Sequence, residues 1–137
     1  DHSIRVLGNA LRLKAAFEWD VPKESLIVAC LFHDLGKVGD ENEDYYVQQK
    51  DTYKIQKYGD EYMTSETIKF MTVPDRSVYL CQTFGLKLTH DEFLAIKLND
   101  GQYAEENAPY RLKEPMLADI VHIADVIATK QEKGLLP

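Results

Sequence analysis

A segment that is apolar on every face of a helix has to be surrounded by other elements, and this chain contains one. Leu26, Ile27, Ala29, Cys30 and Leu31 leave no polar stripe, so the spacing predicts a central buried helix. Asp20 fits an N-cap, Pro22 an early helical turn, and Gly36 a stop. Amphipathic partners stand on either side of it. Ile4, Leu7, Leu11 and Ala15 repeat at helical spacing over about 2–18. Pro115 opens a last helix to about Lys130, with Leu117, Ile120, Val121, Ala124 and Ala128 on one face. Between them, helices are expected at about 62–71 and 75–84, separated at Val73-Pro74. Thr89-His90-Asp91-Glu92 is a capping box before a helix to about Leu98. Asn99-Asp100-Gly101 is a turn, and 101–113 reads as loop.

The stretch 39–62 has a different character. Five of the eight Tyr fall there: Tyr45, Tyr46, Tyr53, Tyr58 and Tyr62. Tyr45–Gln48 and Thr52–Ile55 flank Gln49-Lys50-Asp51, which predicts a small β-hairpin near 45–56. The acidic run Asp40–Asp44 is read as a solvated loop. The expectation is one all-α domain over 1–137, a helical bundle with a hairpin insert. The chain opens at Asp1 without Met and reads as starting inside an element, so upstream residues are expected to be missing.

Composition narrows the function classes. In 137 residues, 16 Lys+Arg against 23 Asp+Glu give a net charge of −7. That balance argues against a binder of duplex nucleic acid, which carries a basic face. It leaves small anionic substrates open, because a few local cations suffice to bind a phosphate. No stretch of eighteen apolar residues is present to span a membrane. Cys30 and Cys81 lie in apolar runs and form no disulfide framework, so a cytoplasmic location is expected.

His33-Asp34 ends the most apolar segment, where an unpaired carboxylate costs several kcal/mol unless a cation accompanies it. The other His-Asp pair, His90-Asp91, falls in the first turn of a capped helix, where an acidic residue suits the dipole. His2 stands on the first helix with Arg5 at i+3. Asp125 stands on the last, with His122 at i−3 and Asp119 at i−6. Three antiparallel helices would aim His2, His33, Asp34 and Asp125 at one point. Two imidazoles and two carboxylates suit Mn, Fe, Co, Ni, Zn or Mg and leave positions open for water and substrate. Arg5 and Lys37 would face an anionic ligand. His122 is read as a core or supporting histidine, and Cys30 as packing. The Tyr cluster reads as a packed insert, with a nucleobase platform as the alternative.

His2, His33-Asp34 and Asp125 resemble the H…HD…D signature of the HD-domain phosphohydrolases. His2–Val6 is similar to the first metal helix, Leu31–Lys37 to the HD-x-GK core, and His122–Ala128 to the final aspartate helix. The resemblance covers essentially the whole chain. It implies a helical bundle that holds a divalent metal and hydrolyses a phosphate ester or anhydride, most often of a nucleotide. His2, His33, Asp34 and Asp125 would then be metal ligands, Arg5 and Lys37 would contact substrate phosphate, and Asp34 or a neighbouring carboxylate would orient or deprotonate the attacking water. Members with two metals carry further His between the pair and the last Asp. Here Asn99 or Asp100 stands before Gly101, and Pro74–Ser77 contains no His. Asp75 and Asp100 remain able to ligate a hard metal, but the simpler implication is one metal, with Asn99, Asp100 and His122 as supporting residues. The competing reading is a non-catalytic regulatory module that binds metal or nucleotide in the same pocket. A bundle with no ligand at all is the third.

Overall fold

The computed structural model describes residues 1–137. Its helices are α1 (His2–Phe17), α2 (Lys23–Phe32), α3 (Thr52–Tyr58), α4 (Val73–Thr83), α5 (His90–Lys97) and α6 (Met116–Glu132). Two strands, β1 (Tyr46–Gln48) and β2 (Tyr62–Thr64), stand on either side of α3. Short 3-10 turns follow α2 at Leu35–Lys37 and precede α6 at Glu105–Tyr110. The apolar segment is α2, and no side chain from Leu26 to Phe32 is exposed. α1, α5 and α6 enclose it, and α4 packs on α5 and on the turn at Leu35–Lys37. Val6, Leu26, Ala29, Cys30, Ile120, Val121 and Ala124 form the centre of the core, all fully buried. No helix is long and apolar enough to cross a membrane.

The inward stripe of α1 is rotated from the one expected. Val6, Asn9 and Ala10 are buried, Leu7 and Leu11 pack at the edge of the core, and Ile4 is 64% exposed. Asn9 is drawn inside because its Nδ2 donates to Gln131 Oε1 at 2.9 Å, which satisfies a polar group that would otherwise be costly to bury. His2, four residues before Val6, therefore lies on the inward face and meets α6.

The insert is also built differently. β1 pairs with β2, not with 52–55: Tyr46 lies opposite Thr64, and Gln48 opposite Tyr62. Residues 52–58 are helical because Asp51 caps them, its carboxylate accepting from the Tyr53 and Lys54 amides. The helix expected over 62–71 is absent. Its first residues are taken by β2, and the Ser65 and Thr67 hydroxyls then donate to the Glu43 carboxylate across the chain. These bonds, Ser65 foremost, hold the Glu43 carboxyl below its ordinary pKa. Val73-Pro74 begins a helix and does not break one: Thr72 caps α4, and Pro74 sits in its first turn. The Thr89–Glu92 capping box forms with both its hydrogen bonds.

α2 stops at His33, three residues before the expected Gly36. Asp20 caps nothing; Pro22 occupies the N-cap position. Gly36 is required for a close approach. A Cβ there would stand 2.2 Å from Val73 O, a backbone atom that cannot yield. Gly36→Ala is expected to destabilise the protein by about 1–3 kcal/mol, the usual cost of overpacking. Gly8→Ala has nothing within 4 Å of its Cβ in mid-α1 and is expected to gain up to about 1 kcal/mol. Urea denaturation of the two variants reads the opposite signs.

Candidate metal centre

The end of α2, the start of α1 and the middle of α6 meet at one point. His33 is fully buried, and its Nδ1 lies 2.8 Å from Cys30 O. A carbonyl only accepts, so Nδ1 carries the proton, and in the neutral ring Nε2 is then the bare nitrogen. That Nε2 is buried and has no hydrogen-bond partner. Two carboxylates stand just beyond hydrogen-bonding distance of it, Asp34 Oδ2 at 3.7 Å and Asp125 Oδ1 at 3.9 Å. A lone pair directed at two acidic groups is unfavourable unless something positive lies between them.

His2 completes the set. Its Nε2 stands 2.9 Å from Asp125 Oδ1 and 3.8 Å from Asp34 Oδ2. Its Nδ1 faces both Glu132 oxygens, at 3.0 and 3.1 Å. Glu132 thus orients the ring through one nitrogen and leaves the other for the cluster, the usual arrangement of a ligating histidine. Two donors each about 2.1 Å from one ion stand about 3.0 Å apart when adjacent in an octahedron and about 4.2 Å apart when opposite. Three of the separations here, 3.7 to 3.9 Å, fall in that interval and the fourth, 2.9 Å between His2 and Asp125, lies at its lower edge; His2, His33 and Asp34 bring one donor atom each within 4.8 Å of the others, and Asp125 joins them beside His2. The nitrogen and oxygen donors of His2, His33, Asp34 and Asp125 fit a divalent transition metal or Mg.

Two cations border the cluster, each held by a carboxylate. Lys37 Nζ donates to Asp34 Oδ2 at 2.6 Å, and Arg5 Nη1 donates to Glu132 Oε1 at 2.5 Å. Burial works against the Lys37 ammonium, but the hydrogen bond and charge of Asp34 outweigh it, and its pKa lies above the ordinary value. The Cys30 thiol is pushed up to about 12 by burial and then by the Asp125 charge, so it is inert. Asp100 reaches solvent at the rim. Partial desolvation, and then the charges of Glu106, Asp125 and Asp34, raise its carboxyl pKa.

Asn99 and His122 act from below. Asn99 Nδ2 donates to Ile96 O at 2.7 Å and to His33 O at 3.3 Å, and His122 Nδ1 donates to Asn99 O at 2.7 Å. The His122 ring rests on Gly101, whose φ of +89° and missing Cβ allow the contact. Asp75 lies apart on α4, where Lys97 holds its carboxyl below the ordinary range. His90 is exposed at the start of α5. The widest cleft, about 910 Å³ between α4 and α5, holds none of the four donors.

Sequence reasoning missed three contributors. Ser77 Oγ accepts from Gly36 N at 2.8 Å and donates to His33 O at 3.0 Å, so it braces the segment that carries Asp34 and Lys37. Arg76, nearly buried, donates from Nη1 to Gly36 O at 2.8 Å and also to Val38 O. Glu132 carried a readable signal, because it stands seven residues from Asp125, two turns along the same face of α6.

The His2 hydrogen bond, with Arg5 next, holds the Glu132 carboxyl below its ordinary pKa. Its stabilising contribution is therefore present above the ordinary carboxylate range and is lost as pH falls through the folded value. Glu132→Gln keeps an acceptor for Nδ1 but removes its charge. Metal affinity is expected to fall about 10- to 100-fold, read by titration against a competing chelator. Affinity unchanged within a factor of two overturns the orienting role.

A family model described as HD domain matches residues 1–130. The match includes His2, His33, Asp34 and Asp125 and stops short of Glu132. No curated protein and no solved structure matches the chain.

Proposed function

The chain belongs to the HD domain family, which consists in general of metal-dependent hydrolases of phosphate compounds, and from that premise we propose that it hydrolyses a phosphate ester or anhydride of a nucleotide. The observation that carries the proposal is the orphaned, fully buried Nε2 of His33, directed at Asp34 and Asp125 with His2 beside them. His2, His33, Asp34 and Asp125 would hold one divalent ion. A single ion is favoured because the two remaining histidines stand elsewhere, His90 in solvent and His122 on Asn99 O. Bound in such a set, the ion supplies acidity to water and polarises a phosphoryl oxygen.

The protein's own groups do the remainder. Asp34, 19% exposed, orients the attacking water and accepts its proton. Lys37 engages Asp34 with one N–H and keeps two for a phosphate. Arg5 engages Glu132 through Nη1 and keeps its other donors. Both side chains are more than 40% exposed, so an entering phosphate reaches them. They offset the charge that develops on the phosphoryl oxygens. The water oxygen bonds to phosphorus as the leaving oxygen departs and takes a proton. The substrate class, a cytoplasmic location, a single domain over 1–137 and the absence of duplex nucleic acid and membrane partners belong to the same proposal.

A second reading has one observation in its favour. Both candidate phosphate-binding cations are already paired with carboxylates, which suits a regulatory module that binds without turnover. A hydrolysis screen separates the two. Protein loaded in turn with Mn, Co, Ni, Zn and Mg is offered nucleoside mono-, di- and triphosphates and cyclic nucleotides. Turnover that disappears with chelator is expected. Tight nucleotide binding without turnover under every metal would favour the module.

A further inference from the structure

The insert between the Leu35–Lys37 turn and α4 is tied back onto the candidate site. Arg76 grips the carbonyls of Gly36 and Val38, the two residues flanking Lys37. Its guanidinium also lies over the Tyr45 ring, 5.1 Å from the centroid. Tyr45 is buried and donates its hydroxyl to Met71 O at 3.1 Å. Tyr45 is thus fixed beside the backbone that carries Lys37. Tyr46 comes next, its ring edge-to-face with Tyr45 at 4.9 Å. Unlike Tyr45 it is 44% exposed. Its ring is tied, through Tyr45 and Arg76, to the segment that carries Lys37.

The ribbon register adds a second observation. Paired residues share a face and alternate along the strand. Tyr46 and Thr64, with Gln48 and Tyr62, therefore occupy one face, and Val47 with Met63 the other. Val47 and Met63 are partly buried, whereas Tyr46, Gln48 and Tyr62 are exposed. The outer face is an aromatic surface with an amide beside it, anchored next to a cation that the hydrolase reading assigns to phosphate. Neither the core nor the proposed hydrolytic step uses the Tyr46 ring.

We propose that Tyr46 is a stacking platform for the base of a nucleotide whose phosphate lies beside Lys37, with Gln48 as the adjacent polar contact. The proposal rests on the reading of the site as a phosphate site and names what that site selects: a nucleobase-bearing phosphate over the sugar phosphate alone. An aromatic face accepts any base, because every base has a π-face.

The test uses Mn-loaded protein with adenosine 5′-monophosphate and ribose 5-phosphate as probes, by calorimetric binding and by turnover. The variants are Tyr46→Ala, Tyr46→Phe and, at an exposed tyrosine elsewhere, Tyr103→Ala. Wild type is expected to prefer the nucleotide. Tyr46→Ala is expected to weaken nucleotide binding roughly 10- to 100-fold and leave ribose 5-phosphate unchanged. Tyr46→Phe and Tyr103→Ala should match wild type. Equal affinity of wild type for the two probes, or loss of both probes together in Tyr46→Ala, overturns the proposal. So does unchanged nucleotide affinity in Tyr46→Ala, even where the enzyme turns nucleotides over. Tyr46-dependent nucleotide binding without turnover under any metal supports the platform while the hydrolase reading fails.

Discussion

Replacing His33 by alanine is expected to abolish stoichiometric metal binding and to lower hydrolysis roughly a thousandfold or more, about 4 kcal/mol of barrier. The magnitude follows from what the side chain holds. Its Nδ1 is committed to Cys30 O, and its Nε2 has no protein partner, so the ring contributes one donor that nothing nearby replaces. Alanine also leaves a buried cavity and an unpaired carbonyl, which together cost a few kcal/mol of stability. Activity loss in that variant alone would therefore be ambiguous. Asp34→Asn removes the ambiguity, since it preserves volume and hydrogen-bonding shape while deleting the charge that faces His2, His33 and Lys37. The same loss of metal and turnover is expected, with an unchanged far-UV spectrum. His90→Ala and Asp91→Asn are the matched controls. They alter the chain's other His-Asp pair, at the exposed start of α5, and should keep full metal content and activity. Metal content and rates that survive both His33→Ala and Asp34→Asn would refute the proposed centre.

The contrast between the two His-Asp pairs also explains which parts of the molecule were readable in the sequence. His33-Asp34 terminates an apolar helix, and burial of such a pair demands a partner; His90-Asp91 follows a capping threonine, and local geometry accounts for it. Both readings rest on neighbours within a few residues. The helical bundle and the positions of His2 and Asp125 on facing helices were legible for the same reason, since they follow from local period. Two failures are local, the caps Asp51 and Thr72 each standing directly before the helix it starts; the others are non-local. The ribbon partner of Tyr46 is Thr64, eighteen residues away. Gly36 looks like a helix stop, yet its requirement comes from Val73 O across the fold. Arg5 and Lys37 were assigned to a ligand because their carboxylate partners were not both visible. Lys37 meets Asp34 three residues away, but Arg5 meets Glu132 at the other end of the chain.

Removing the metal is expected to cost more stability than Gly36→Ala. Without an ion, Asp34 and Asp125 are only 19% and 24% exposed, Asp100 and Glu132 add negative charge nearby, and the His33 lone pair stays buried without a partner. The ligand set is assembled only in the folded chain, because its members are drawn from residues 2, 33, 34 and 125. Metal that binds the folded form alone at a thousand times its Kd adds about 4.1 kcal/mol. For a chain of this length that corresponds to a rise in Tm of about 10–20 °C. Chelator-stripped protein is therefore expected to melt lower by that interval than protein refilled with Mn, Co, Ni or Zn. Mg should shift it less, since imidazole donors suit the transition ions and Mg gives up water reluctantly. In His33→Ala the shift should vanish for every ion. A rise of the same size in that variant would place the ion at another site. A Tm unmoved by all five would mean that the orphaned nitrogen of His33 is a strained packing feature, and the hydrolase reading would lose the observation that carries it.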